Sequence, residues 1–185
     1  MSVCCFAGHR DAEETIRPIL DESIKWHILT KGVTEFLVGT YGNFDRMASA
    51  SVLERKKEYP YLRLTLLVAY PPARKRSFLS GYDQVIYPEG LELVPPRFAI
   101  PALNRYMLEK SDYLIAFVKR NWGGAAQTLK NARRLERQGI WLLPIWEKNW
   151  NAIYPGNGLN DKAYNMQEAA RESSGGFLLC RHKGI

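Results

Sequence analysis

No apolar run in this chain approaches the roughly 18 residues that a membrane-spanning helix needs. The opening Val3–Ala7 is too short for the core of a signal peptide, and no basic segment precedes it. A cytoplasmic protein with no membrane partner is the expectation. Cysteine is scarce, with three residues. Cys4 and Cys5 are adjacent, so on a strand they point to opposite faces. Cys180 is far away in sequence, and no disulfide framework can be read. CxxC spacing and His/Cys clusters are both missing, which argues against structural zinc. Neither a metal nor a cofactor is expected, and Cys4 and Cys5 read as buried, inert thiols. No Gly-Lys-Ser/Thr follows a glycine-rich turn, and GxGxxG spacing does not occur, so this is neither a Walker loop nor a standard dinucleotide fingerprint.

What remains is an ordinary globular composition. Hydrophobic residues make up 46% and charged residues 24% of 185, enough for one domain with a full core. The formal charge is +7. Arg55, Lys56, Lys57, Arg74, Lys75 and Arg76 form one basic region. Lys130, Arg133, Arg134 and Arg137 form another at helical spacing. Such residues either solvate a helix face or attract an anionic ligand or nucleic acid. Aromatics do not alternate with them as in a stacking platform, so only weak, nonspecific nucleic-acid binding is expected.

Apolar runs and breakers alternate in a strand–helix order. Ser2–Phe6 reads as a buried first strand. Helical periodicity through Ile16, Leu20, Ile24 and Ile28 stops at Gly32, with Pro18 in the first turn. Glu35–Val38 is a strand, and a helix runs from Phe44 to Tyr59. Leu62–Ala69 is a third strand, and Ala73–Pro96 is irregular around a short strand at Gln84–Tyr87. A helix over Ile100–Lys110, a strand over Tyr113–Val118, a helix ending at Gly139 and a strand over Ile140–Ile145 complete the series. This order predicts an α/β protein: a Rossmann-like open, mainly parallel sheet with helices on both faces. Residues 1–146 form that domain, and 147–185 form an appendage packed on it. Five tryptophans, three of them within Trp141–Trp150, are compatible with a buried seam or with core packing. A homo-oligomer stays open.

Three turns join a strand to a helix through glycine: Gly8-His9-Arg10, Gly39-Thr40-Tyr41-Gly42 and Gly123-Gly124. In an open α/β sheet such turns gather on one edge, where ligands bind. Glycine lets backbone N–H groups approach a phosphate at a helix N-terminus. A small nucleotide-like ligand is therefore expected. Arg10 suits phosphate through its planar fork of donors. His9 donates to a ligand, accepts from one, or supports the loop. Asp45 caps its helix or holds ribose hydroxyls. Thr128 faces the ligand or bonds back within its own helix.

Together these segments resemble a known family. Cys-Cys-Phe-x-Gly-His-Arg, Gly-x-x-Gly-x-Phe-Asp, Asn104-Arg105-Tyr106-Met107 followed by Ser111–Ala116, and Gly-Gly-x-Ala-x-Thr are similar to the YpsA-type proteins of the SLOG superfamily. That superfamily also contains the LOG-type phosphoribohydrolases and the DNA-processing protein DprA. The likeness spans residues 3–145 in order. It implies a Rossmann-like sheet and a pocket for a nucleotide derivative, with YpsA-like members considered sensors or binders. It adds Arg105, which matches the arginine of an Arg-x-x-Met pattern, to the ligand-binding set. Two departures matter. Lys130 stands where the LOG-type motif has a glutamate, and a lysine cannot stabilise positive charge developing on ribose. Phosphoribohydrolase action would need another carboxylate, with Asp45, Glu109 and Asp112 the candidates. The region Ala73–Pro96 and the tail also diverge, and DprA-like single-stranded DNA binding is a third reading.

Overall fold

A computed structural model describes residues 1–71, 81–135 and 139–143, all within the unit Met1–Trp146. The expectations for Arg74, Lys75, Arg76, Arg137, Cys180, the tryptophan seam and the 147–185 appendage lie outside the described residues. Six strands follow one another as β1 (Ser2–Gly8), β2 (Val33–Val38), β3 (Arg63–Leu67), β4 (Gln84–Ile86), β5 (Tyr113–Phe117) and β6 (Gly139–Leu142). Between them run α1 (Arg17–Lys31), α2 (Asn43–Glu58), α3 (Pro96–Glu109) and α4 (Gly124–Leu135). The sheet order is β4-β3-β2-β1-β5-β6, and every pairing is parallel.

Alternation along the strands sorts side chains onto two helical layers. Cys4, Phe6, Leu64, Leu66, Ile115 and Phe117 share a core with Leu20, Ile24 and Ile28 of α1 and with Phe44, Met47 and Val52 of α2. Cys5, Leu114 and Ala116 face the opposite way and are also buried, and α3 and α4 pack against each other and the sheet there. Rings dominate the first layer: Phe6 stacks on Phe36 at 5.8 Å and Phe44 on Phe117 at 6.1 Å. Fully burying one such side chain contributes on the order of 1.5–3 kcal/mol. Burial pushes the Cys5 thiol up to about 12 and Cys4 well above its ordinary value, so both are inert thiols within the core.

Element boundaries follow local chemistry. Gly32, at φ 63°, closes α1 in the left-handed conformation that glycine adopts without penalty. α3 begins at Pro96, not Ile100, because a proline at the first helical position fits its fixed φ and needs no N–H partner. Pro101 lies inside that helix, where its ring removes one backbone donor. Gly139 opens β6, and an added Cβ would meet the Tyr113 ring at 2.6 Å; the expected helix end just before it falls on 136–138, outside the described residues. The 81–95 stretch is more regular than expected, holding β4 and a 3-10 turn at Leu91–Leu93.

The chain steps outward from β1 to β4 and then returns to place β5 on the other side of β1. Connections therefore leave the neighbouring ends of β1 and β5 in opposite directions. A crevice opens at that reversal, beyond the carboxyl ends of the two strands.

Candidate functional site

The crevice is a cleft of about 260 Å³. Gly8, His9, Arg10 and Asp11 line it from the β1 turn, and Tyr41, Gly42 and Asp45 from the β2 turn and α2. Arg120, Trp122, Gly123, Gly124, Ala125 and Thr128 line it from the β5 turn and α4, with Ile100 and Asn104 from α3. Gly39 lies in an adjoining groove of about 620 Å³ that shares Arg10, Tyr41 and Gly42. Two expected residues are thus absent from the cleft lining: Gly39, one groove away, and Arg105. The reason for Arg105 is helical geometry. Its neighbour Asn104 takes the α4 side of α3 and donates to Thr128 Oγ1 at 3.2 Å. One residue on, Arg105 is exposed and pairs with Glu109 at 2.8 Å.

The glycines hold their places for different reasons. At Gly8 a Cβ would sit 2.1 Å from the Phe44 ring, so the core behind the turn excludes any side chain. At Gly42 it would meet the Arg10 Cα at 2.7 Å, where two backbones touch. Gly123 has φ 90°, and among the described residues no atom beyond the local backbone lies within 4 Å of a Cβ added to it or to Gly124. The diglycine therefore borders open space. Gln127 N–H bonds the Gly123 carbonyl at 3.0 Å, which makes Gly123 the N-cap of α4. The first N–H groups of the helix have no partner within it, and they carry its positive partial charge.

Hydrogen bonds tie the three turns together. Arg10 Nε donates to Tyr41 O at 2.8 Å, and Asn43 N–H bonds Arg10 O at 2.8 Å. Arg120 N–H donates to His9 Nε2 at 3.1 Å, which puts the imidazole hydrogen on Nδ1 if the ring is neutral. Burial, helped by Arg120 and Lys119, pushes His9 below its ordinary value, so neutrality is favoured. His9 thus supports the loop and bridges β1 to β5 at the switch point. The Arg120 guanidinium forms an ion pair with Asp11 and lies 4.9 Å from the centre of the Trp122 ring. Lys119 and Glu13 pair beside it at 2.9 Å.

Asp45 and Thr128 each make a local hydrogen bond near the N-terminus of their own helix. Asp45 Oδ2 accepts Tyr41 N–H at 3.0 Å, reaching back across the entry of α2. Burial raises its carboxyl to about 6, against the opposing pull of that hydrogen bond. Thr128 Oγ1 donates to Gly124 O at 2.8 Å, bonding back within α4 while lining the cleft. Of the three candidate carboxylates, Asp45 reaches the cleft. Glu109 is on the outer side of α3, and Asp112 accepts Val3 N–H at 2.9 Å near the amino ends of β1 and β5. Lys130 is exposed on α4 and does not line the cleft.

Sequence reasoning missed Asp11, Tyr41, Asn104, Arg120 and Trp122 as cleft residues. Arg120 and Trp122 had a signal: they fall between the end of β5 and the diglycine, where a strand end meets the binding edge. Asn104 had a weaker one, since the segment stood out but its facing side did not.

No protein-family model matches the chain, and no curated protein matches it. Among solved structures it is similar to DNA processing protein A (DprA) from Streptococcus pneumoniae, with a TM-score of 0.59 and 17% sequence identity. The likeness covers 91% of this chain and 56% of that one, so the chain spans little more than half the length of that neighbour. At this identity the likeness is one of fold: an open, parallel, Rossmann-like α/β sheet.

Proposed function

We propose that this chain is a cytoplasmic SLOG-type protein of the YpsA-like kind that binds a small nucleotide-like ligand at the β1–β5 cleft. One observation carries the reading. The N-terminus of α4, clear of the other described residues, opens through Gly123 and Gly124 into a crevice at the topological switch point. Arg10 lines the same cleft with its Nε held by Tyr41 O, which leaves its terminal nitrogens as candidate phosphate donors. Gly8, His9, Gly42, Asp45 and Thr128 complete the proposed site, with Gly39 and Arg105 outside it.

Calorimetry with the nucleoside monophosphates and ADP-ribose tests this reading. Open space at Gly124 means that Gly124→Asp is tolerated, and an aspartate suits the first turn of a helix. Its carboxylate would repel a phosphate there, so binding is expected to weaken at least about tenfold. Arg10→Ala is expected to lose roughly 1.5–3 kcal/mol through a missing charge-assisted hydrogen bond. A chain that binds none of these compounds, or binds them equally well in both variants, refutes the proposal.

A hydrolytic role finds less support. Lys130 is displaced from the cleft, and Asp45 is committed to Tyr41 N–H. Chromatography of AMP and GMP incubated with the protein is expected to show no released base. Release at about 1 per second or faster would assign the missing carboxylate role, with Asp45 the first to replace.

A further inference from the structure

Trp122 is large, apolar and 63% exposed, yet it lines the cleft. Exposed tryptophan is unusual on a loop whose other cleft residues are small or charged, because its apolar area favours burial. Its surroundings hold it in place rather than cover it. The Arg120 guanidinium lies 4.9 Å from the ring centre, and that arginine is tethered at both ends. Its side chain pairs with Asp11 and its N–H donates to His9 Nε2. A cation against one face of the indole limits the rotamers open to it. Less side-chain freedom is then lost when a ligand arrives.

We infer that Trp122 is the stacking surface for the aromatic base of the ligand, which makes the preferred ligand class base-bearing phosphates rather than sugar phosphates. This rests on the nucleotide reading of the cleft. Trp122 precedes Gly124 by two residues, so their Cα atoms are at most roughly 7 Å apart. One ribose separates base from phosphate over a similar span. A phosphate on the N–H groups of Gly124 and Ala125 would therefore bring a base over the indole. The cleft, at about 260 Å³, is near the lower limit for small-molecule sites and suits one mononucleotide unit. Stacking is tolerant of base identity because every base has a π face. Discrimination among bases would fall to polar neighbours such as Asn104.

The experiment compares the four nucleoside monophosphates with ribose 5-phosphate, by calorimetry on the full chain. Wild type, Trp122→Ala, Trp122→Phe and Gly124→Asp are measured together, with circular dichroism to verify folding. At least one nucleotide is expected to bind about tenfold or more tightly than ribose 5-phosphate. Trp122→Ala should reduce that nucleotide's affinity roughly 5- to 150-fold and leave ribose 5-phosphate unchanged. Trp122→Phe should retain most of the nucleotide affinity. Equal binding of sugar phosphate and nucleotide, or a Trp122→Ala variant that binds the nucleotide normally, overturns the inference. If Gly124→Asp still weakens both compounds in that case, the phosphate site stands without the base platform. Absence of binding by every compound overturns the inference, and absence of ADP-ribose binding as well refutes the nucleotide reading. Tighter binding of a single-stranded oligonucleotide than of any mononucleotide, lost in Trp122→Ala, overturns it in favour of a nucleic-acid strand.

Discussion

A methyl group on Gly8 would penetrate the Phe44 ring, with contacts from 2.1 to 2.6 Å. That glycine is demanded by the core as much as by any ligand. Gly8→Ala is expected to destabilise the fold by about 1–3 kcal/mol through overpacking, read as a lower denaturant midpoint with the m-value unchanged. An unaltered midpoint would mean that Phe44 yields easily. Two buried titratable groups make opposite demands on pH. Burial lowers His27 to about 4, despite its 2.7 Å hydrogen bond with Ser23 O. The unfolded chain takes up that proton first, so this contribution is complete above the ordinary histidine value of 6.5 and is lost as pH falls toward 4. Asp45, raised from 3.8 to about 6, behaves in reverse: its contribution is complete below 3.8 and is lost as pH rises through 6. Between about 4 and 6 the two slopes oppose each other, each at most about 1.4 kcal/mol per pH unit. Relative to wild type, Asp45→Asn should gain stability as pH rises across that window, and His27→Gln should gain as pH falls. Denaturation at pH 4.5 and 6 would check both signs, and parallel profiles for all three proteins would refute the assignment.

Short turns determine how the elements meet. His9, Arg10 and Arg120 bond neighbouring turns to one another, so the carboxyl ends of β1, β2 and β5 are held as one rim. The outer edge has a separate fastening. Asp83 accepts Leu64 N–H at 2.6 Å and pairs with Lys56 of α2, which anchors the short β4 to β3. Asp83→Ala should leave the central strands intact while loosening this edge. Hydrogen exchange is expected to speed up at β4 amides and at Leu64, with β1 and β5 protected as before. Uniform acceleration across the sheet would show that the edge and centre open together. At α3, the elements also explain why adjacent residues diverge: Asn104 reaches the cleft and Arg105 the solvent, one helical step apart.

Across the molecule, the formal charge of +7 does not translate into a free basic track on α2. Arg55 pairs with Glu58, Lys56 with Asp83 and Lys57 with Glu54. Among the described residues of α4, Lys130 and Arg134 are exposed, and two cations on that face fall short of the many phosphate contacts that give a steep salt slope. Single-stranded DNA is therefore expected to bind weakly at low salt and to dissociate at about 150 mM. A titration monitored by fluorescence anisotropy would test this, and a tight complex at that ionic strength would favour DNA binding over the nucleotide reading.

Strand and helix order was legible in the sequence because it rests on local chemistry. Apolar runs gave β1, β2, β3 and β5, helical periodicity gave α1, glycine turns after strands opened α2 and α4, and Gly32 and Pro18 marked a helix end and start. The parallel sheet followed, since successive strands separated by helices must cross over in one sense. The gathering of the Gly8, Gly39–Gly42 and Gly123 turns at one edge followed too, from their position after strands, although Gly39 itself lies in the adjoining groove. Other features depend on neighbours distant in the chain. Gly8 answers to Phe44 and Gly42 to Arg10, contacts that no local pattern encodes. Arg120 finds Asp11 and His9 more than a hundred residues away only because β5 lies beside β1. Asn104 rather than Arg105 enters the cleft because α3 packs on α4 with one particular face. Local sequence thus determined the elements and the edge on which they open, while tertiary packing chose which side chains line that opening, since facing depends on contacts that form only once the sheet has assembled.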